Sequence, residues 1–115
     1  MNLNQTVSSC YIHIPFCNRI CSYCDFCKLF YNDKLVDKYL ESLEKEVKKI
    51  YKGEVLNTIY IGGGTPSALS LKQLQRLLEM IKSLNRSSSC EFSIECNFDS
   101  INKDKLLLLK KYGVN

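Results

Sequence analysis

The sequence has few of the residues that separate domains, and it lacks a long hydrophobic run. Two prolines, five glycines and no low-complexity stretch in 115 residues predict no internal linker, and the length suits one domain at most. No apolar stretch approaches membrane-spanning length, which argues against a membrane protein. Residues 1–9 lack the positive cluster and apolar core of a signal peptide. We therefore expect a flexible tail there and a cytoplasmic protein.

The charge is also unremarkable in size and in distribution. The net charge is +4, and the lysines are spread over predicted helix faces. A nucleic-acid surface would need a denser basic stripe with aromatic residues between the charges. The sequence therefore predicts neither a nucleic-acid partner nor a membrane span.

The hydrophobic pattern predicts strands and helices in alternation. The strand at 55–61 is mostly apolar and rich in β-branched residues, so we expect it to be buried on both faces. Ser70 and Gln73 have the spacing of a capping box, and Asn102 is a candidate cap for the last helix. A turn is expected at 85–89. The predicted elements are strands at 10–15, 55–61 and 90–96, and helices at about 34–51, from 70 to about 84, and from 102 to about 112.

This order of elements predicts an α/β fold. Three strands that alternate with three helices, in the order βαβαβα, imply right-handed crossovers and a parallel sheet. Three strands cannot close a barrel. Residues 10–115 are therefore predicted to be the N-terminal part of a larger α/β barrel, and a small self-sufficient doubly wound domain is the alternative.

Cysteine is abundant, and its spacing is the most informative feature of the chain. Cys17, Cys21 and Cys24 are separated by three residues and then by two. Three thiolates on a 4Fe–4S cluster leave one iron open to bind a small molecule and pass it an electron. With Cys27 the triplet could instead form a zinc site or a closed cluster, or the thiols could carry no metal. The remaining cysteines are expected to be small buried apolar residues: Cys10, Cys90 and Cys96.

Two further features lie near the predicted carboxyl ends of the strands. The run Gly-Gly-Gly-Thr-Pro-Ser at 62–67 follows the second strand directly and could bring backbone close to a ligand. A tight strand-to-helix turn would explain the same glycines. Glu95 lies near the end of the third strand, where a buried carboxylate needs a partner. We favour ligand binding by Glu95 over simple exposure at the strand end.

Four segments together resemble the radical S-adenosylmethionine superfamily. They are Tyr-Ile-His-Ile-Pro-Phe-Cys from Tyr11, the run Cys-x3-Cys-x-Tyr-Cys, the glycine run at 62–67, and Ile-Glu-Cys-Asn around Glu95. Within that superfamily they are similar to the oxygen-independent coproporphyrinogen III oxidase family. The resemblance extends from residue 11 to residue 115 and implies that the chain is part of a partial (β/α) barrel with parallel strands.

The resemblance implies a cofactor and a set of ligands. Cys17, Cys21 and Cys24 would hold a 4Fe–4S cluster, and an unidentified electron donor would reduce it. The reduced cluster would cleave S-adenosylmethionine to methionine and a 5′-deoxyadenosyl radical. By their motif positions, six residues would contact S-adenosylmethionine: Tyr11, Tyr23, Gly63, Gly64, Thr65 and Glu95.

The residues after the cysteine triplet indicate which branch of the family the chain resembles. The oxidases carry a further cysteine where this chain has Phe26, and Cys24-Asp25-Phe26 instead resembles the heme chaperones. Heme or a porphyrin is therefore an implied partner. A truncated metal-binding module without turnover is the alternative. His13, the single histidine, is expected to be structural rather than a heme ligand, and Phe98 replaces a proline that the family usually has.

Overall fold

A computed structural model describes residues 8–17, 29–30, 32–97 and 100–115 of the chain. Within these ranges, strands and helices alternate along the main sheet as the sequence predicts. In chain order the elements are β1 (Ser9–Ile14), β2 (Phe16–Cys17), β3 (Leu29–Phe30), α1 (Asp33–Ile50), β4 (Leu56–Gly63), a 3-10 helix (Pro66–Ala68), α2 (Leu71–Lys82), β5 (Arg86–Ile94) and α3 (Lys103–Lys111).

The main sheet is parallel, in the order β1–β4–β5. Tyr11 lies opposite Tyr60 across the first pair, and Ile61 lies opposite Ile94 across the second. The short strands β2 and β3 form a separate parallel pair, with Phe16 opposite Leu29. The α/β prediction with parallel strands is confirmed.

Each of the three α-helices begins where its sequence provides a cap. The Ser70 hydroxyl accepts from the backbone N–H of Gln73, and the Gln73 side chain accepts from the backbone N–H of Ser70, so the predicted capping box of α2 is confirmed. Asn102 caps α3 through its side chain, as predicted. Asn32 does the same for α1. These contacts satisfy N–H groups that a helix leaves without intrahelical partners.

All three helices pack on the same face of the main sheet. Alternate strand residues point into this layer, where they meet the apolar stripes of the helices. The core includes Ile12, Ile14, Leu56, Ile59, Ile61 and Phe92 from the strands and Val36, Leu40, Leu74, Leu77, Leu78, Ile81 and Leu109 from the helices.

No helix in the described ranges covers the opposite face of the sheet, hereafter the open face. Tyr11 is 58% exposed and Tyr60 is 42% exposed, although both lie within strands. The prediction that the strand at 55–61 is buried on both faces is therefore wrong. The reason is that α1, α2 and α3 all cover one side, so every second residue of β4 faces away from them.

The predicted turn at 85–89 is also wrong in part, because β5 begins at Arg86. The serines at 87–89 favour a loop by propensity, and the pairing is irregular there: Arg86 pairs with Leu56 of β4, and regular pairing resumes only at Glu91. The Arg86 guanidinium lies 5.5 Å from the Phe92 ring centre and donates to the Tyr112 carbonyl. Separately, no helix in the described ranges is long and apolar enough to cross a bilayer.

Candidate functional site

Five of the residues expected to bind S-adenosylmethionine belong to the main sheet or to the turns at its carboxyl edge. Tyr11 lies within β1 and Gly63 ends β4. Gly64 and Thr65 follow β4 directly, and Glu95 follows β5. The carboxyl edge of parallel strands is the usual ligand-binding edge in α/β folds.

The predicted metal ligands are only partly described. The backbone of Cys17 ends β2, next to the glycine turn. Cys21, Cys24 and Tyr23 lie outside the described residues, as does Phe98. Within the described part of the chain, no group of three or more His, Cys, Asp or Glu residues could hold a metal ion.

Two hydrogen bonds attach the glycine turn to the start of the cysteine-rich segment. The Gly64 N–H donates to the Ile14 carbonyl at 2.7 Å, and the Thr65 N–H donates to the Phe16 carbonyl at 2.7 Å. Phe16 directly precedes Cys17 and is itself buried. The turn and the first predicted cluster ligand are therefore held side by side by backbone contacts.

Close packing explains why glycine is needed in this turn. A Cβ on Gly64 would lie 2.6 Å from the Phe16 carbonyl oxygen, and one on Gly63 would lie 2.7 Å from the Ile14 carbonyl oxygen. Gly63 also has a φ of +115°, which L side chains rarely adopt. The N–H groups of Gly64 and Thr65 already donate to strand carbonyls. A ligand at this edge would therefore form its hydrogen bonds with other polar groups of the turn.

A cavity of about 290 Å³ opens beside the turn. It is lined by Gly64, Thr65, Glu95, Cys96 and Asn97. A pocket with carboxylate, hydroxyl and amide groups matches a polar ligand such as the amino-acid and ribose parts of S-adenosylmethionine. These residues thus fit the cofactor that the sequence pattern implies.

Cys96 differs from the expectation for the isolated cysteines. It is exposed at the cavity, whereas Cys10 and Cys90 are half-buried. The prediction that these cysteines are buried is wrong for Cys96, because β5 ends at Ile94 and Cys96 lies beyond the packed part of the strand, and it holds only in part for Cys10 and Cys90. Partial burial raises the pKa of Cys96, and the nearby Lys105 partly opposes that increase.

A network of hydrogen bonds, centred on the buried side chain of Ser67, lies next to the residues that line the cavity. The Ser67 hydroxyl accepts from the Asn97 N–H at 2.8 Å and lies 2.6 Å from the Ser100 hydroxyl. The Lys105 ammonium donates to the carbonyls of Ser67 and Ser100, and burial lowers the pKa of Lys105. The network therefore ties the glycine turn to the segment that follows β5.

We expect the Ser67→Ala variant to unfold more easily by about 1–3 kcal/mol. Ser67 is 1% exposed, and its loss removes the acceptor of the Asn97 N–H and a partner of the Ser100 hydroxyl. Urea denaturation measures the change. The control is Ser83→Ala, which removes an exposed hydroxyl bonded to the Met80 carbonyl and should change stability by less than about 0.5 kcal/mol. Equal effects would contradict a structural role for the network.

The open face of the sheet carries a second group of polar contacts. The Tyr11 and Tyr60 rings stack with centres 5.7 Å apart and planes 15° from parallel. The Tyr11 hydroxyl lies 3.1 Å from Nδ1 of His13, and the Tyr60 hydroxyl donates to Oε1 of Glu95 at 2.5 Å. Sequence reasoning missed Tyr60. Its partners become visible only once the β1–β4–β5 register is known.

We expect Glu95→Gln to lower the pKa of Tyr60 toward its ordinary value. The hydrogen bond to the Glu95 carboxylate and its negative charge both favour the neutral phenol and so raise the pKa of Tyr60. Carbon NMR of the labelled tyrosines during a pH titration should therefore show Tyr60 ionising at lower pH in the variant. Tyr112, whose pKa Glu79 raises in the same way, is the internal control. An unchanged Tyr60 titration would show that the pair does not form in solution.

Comparison with known proteins identifies relatives over nearly the whole chain. The Radical SAM superfamily model matches residues 11–115. The chain is 49% identical to the heme chaperone HemW of Bacillus subtilis over 95% of its own length, and covers 30% of that protein. It is 32% identical to the oxygen-independent coproporphyrinogen III oxidase of Escherichia coli, covering 93% of the chain and 24% of that protein. The chain thus spans less than a third of the length of these relatives.

A solved structure shares the fold. Coproporphyrinogen III oxidase (HemN) from Escherichia coli, described as a radical SAM enzyme, superposes with a TM-score of 0.86 at 31% identity. The match covers 96% of this chain and 27% of that one. The sequence motifs, the parallel sheet and the glycine turn all agree with these matches, and the chain belongs to the radical SAM superfamily, in its HemW/HemN-like part.

Proposed function

We propose that this chain is the part of a radical SAM protein of heme metabolism that holds the 4Fe–4S cluster and S-adenosylmethionine. The observation that carries the proposal is the cavity lined by Gly64, Thr65 and Glu95, next to a turn bonded to the residue before Cys17. This arrangement supports a cofactor site between the cysteine-rich segment and the carboxyl edge of the sheet. The cytoplasm, where clustered thiols stay reduced, is the compartment that this chemistry needs.

The chain's own residues would bind and orient the cofactor. Cys17, Cys21 and Cys24 would ligate three irons and leave the fourth open. When bound, the reduced cluster supplies the electron that cleaves S-adenosylmethionine. The glycine turn would hold the methionyl end, and Glu95 would accept hydrogen bonds from the ribose hydroxyls. Tyr11 and Tyr23, by their motif positions, would complete the contacts.

The relatives favour heme as the molecule on which the complete protein acts. The matched Bacillus subtilis protein is a heme chaperone, and Phe26 stands where the oxidases have a further cysteine. We therefore propose the chaperone branch, without decarboxylation of coproporphyrinogen. A heme titration and a coproporphyrinogen assay on the reconstituted full-length protein test this choice. Heme binding without porphyrinogen conversion agrees with it, and conversion contradicts it.

Anaerobic reconstitution tests the cofactor proposal itself. The chain is incubated with iron and sulfide, reduced, and supplied with S-adenosylmethionine, and 5′-deoxyadenosine is then measured by chromatography. We expect a bound cluster and release of 5′-deoxyadenosine that depends on the reductant. Zinc occupancy with no 5′-deoxyadenosine would instead support the alternative of a metal-binding module without turnover.

A further inference from the structure

Tyr60 and Glu95 form a pair that the sequence motifs do not include. They come from neighbouring strands and are 35 residues apart, and the Tyr60 hydroxyl donates to Oε1 of Glu95 at 2.5 Å. The backbone of Glu95 is fixed as well, because its N–H donates to the Ile61 carbonyl at 2.9 Å. The backbone and the carboxylate of Glu95 are therefore both held by residues of β4.

Gly62 provides the space in which this pair meets. A Cβ at this position would lie 2.7 Å from Cε1 of Tyr60 and 3.0 Å from Oε1 of Glu95. Gly62 is not among the glycines with positive φ, so its backbone does not require glycine. Gly64 instead faces the backbone of Phe16, and Gly63 faces the Ile14 carbonyl oxygen and the His13 ring. The first glycine of the run thus makes room for two side chains.

Tyr11 on β1 restrains the ring of Tyr60. The two rings stack across the β1–β4 pair, where the two residues are directly opposite each other. Stacking limits rotation of the Tyr60 ring, so its hydroxyl stays directed at Glu95. The hydrogen bond from the Tyr60 hydroxyl therefore engages Oε1 of Glu95, and Oε2 is the oxygen that this bond does not use.

We propose that Tyr60 is a positioning residue of the S-adenosylmethionine site, which holds Glu95 so that Oε2 accepts hydrogen bonds from the ribose hydroxyls. This inference rests on the proposed function, because it assumes that Glu95 contacts the cofactor. Glu95 is exposed, and without the Tyr60 hydroxyl its side chain regains rotamers that point away from the cavity. Binding then has to restrict those rotamers again, which weakens affinity.

Binding measurements on the Tyr60→Phe variant test the inference. This variant keeps the ring that stacks on Tyr11 and loses only the hydroxyl. With the anaerobically reconstituted chain, equilibrium dialysis should give a Kd for S-adenosylmethionine that is higher by roughly fivefold to tenfold. The Kd for methionine, which has no ribose, should stay unchanged. Gly62→Ala should have the same selective effect, because its Cβ separates the pair.

Two controls separate positioning from a structural effect. Tyr112→Phe removes the other tyrosine–glutamate hydrogen bond, to Glu79 on the helix side of the sheet, and should change neither Kd. In a double-mutant cycle, Tyr60→Phe should have no further effect on binding of S-adenosylmethionine once Glu95 is alanine, which has no acceptor for the Tyr60 hydroxyl. A merely structural role of Tyr60 would weaken binding of both ligands, and that loss would persist in the Glu95→Ala background.

The outcomes distinguish failure of the inference from failure of the proposed function. If the cluster-loaded wild-type chain binds S-adenosylmethionine and Tyr60→Phe binds it equally well, the inference alone is overturned. The inference alone is also overturned if Tyr60→Phe raises the Kd for S-adenosylmethionine and the Kd for methionine by the same factor. If the cluster-loaded wild-type chain does not bind S-adenosylmethionine, both the inference and the proposed function are overturned.

Discussion

Alanine in place of Cys17, Cys21 or Cys24 should reduce the iron content of the reconstituted chain from about four atoms to near zero. Each of these thiolates is expected to hold one iron, and a cluster that loses one of its three protein ligands should not stay bound through desalting. Iron and sulfide analysis after anaerobic reconstitution and desalting measures the loss. The sequence places all three within eight residues, so the effect should be the same at each position.

Cys27→Ala is the matched control, because Cys27 is close in sequence but has no place in the triplet. It should retain the full iron content and the absorbance of the cluster. Loss of iron in Cys27→Ala would show that four thiolates close the site. Retention of iron in Cys17→Ala would remove Cys17 from the ligand set.

Alanine at Gly64 should lower the free energy of unfolding by about 3 kcal/mol. The added Cβ would lie 2.6 Å from the carbonyl oxygen of Phe16 and 2.9 Å from its backbone nitrogen. Backbone atoms within a hydrogen-bonded strand cannot move aside as a side chain can. The turn must therefore shift and weaken the bonds from Gly64 to Ile14 and from Thr65 to Phe16. Urea denaturation of the metal-free chain measures the change directly.

Gly62→Ala provides the comparison for this prediction. The Cβ at Gly62 would approach the Tyr60 ring and the Glu95 carboxylate, both of which are side chains at an open surface. The stability loss should be less than about 1 kcal/mol, because these side chains can rotate away. If Gly64→Ala were as stable as wild type, close packing would not be the reason for glycine in this turn.

Local interactions explain which parts of the fold could be predicted from sequence. The α2 capping box uses Ser70 and Gln73, which are three residues apart, and Asn102 caps α3 in the same local way. Such contacts form within one turn of chain, so the sequence specifies them directly. The alternation of strands and helices is likewise local, and it was enough to predict a parallel sheet.

Features that depend on the tertiary arrangement could not be predicted in the same way. Strand β5 starts as early as Arg86 because Arg86 pairs with Leu56 of β4, and an irregular register separates this pair from the regular pairing at 91–94, whereas serine propensity at 87–89 favours a loop. The open face of β4 depends on which side the helices cover. Tyr60 and Glu95 are 35 residues apart, and Ser67 and Lys105 are 38 apart, so their contacts depend on register and packing. Motif positions identified Glu95 and could not identify the residues that hold it.

The central claim is that one iron of the cluster is left open for S-adenosylmethionine. Electron paramagnetic resonance of the reduced, anaerobically reconstituted chain tests it before and after addition of S-adenosylmethionine. We expect the cluster signal to change its g values and line shape when the cofactor binds the open iron. A cluster signal that is identical with and without saturating S-adenosylmethionine would contradict the account.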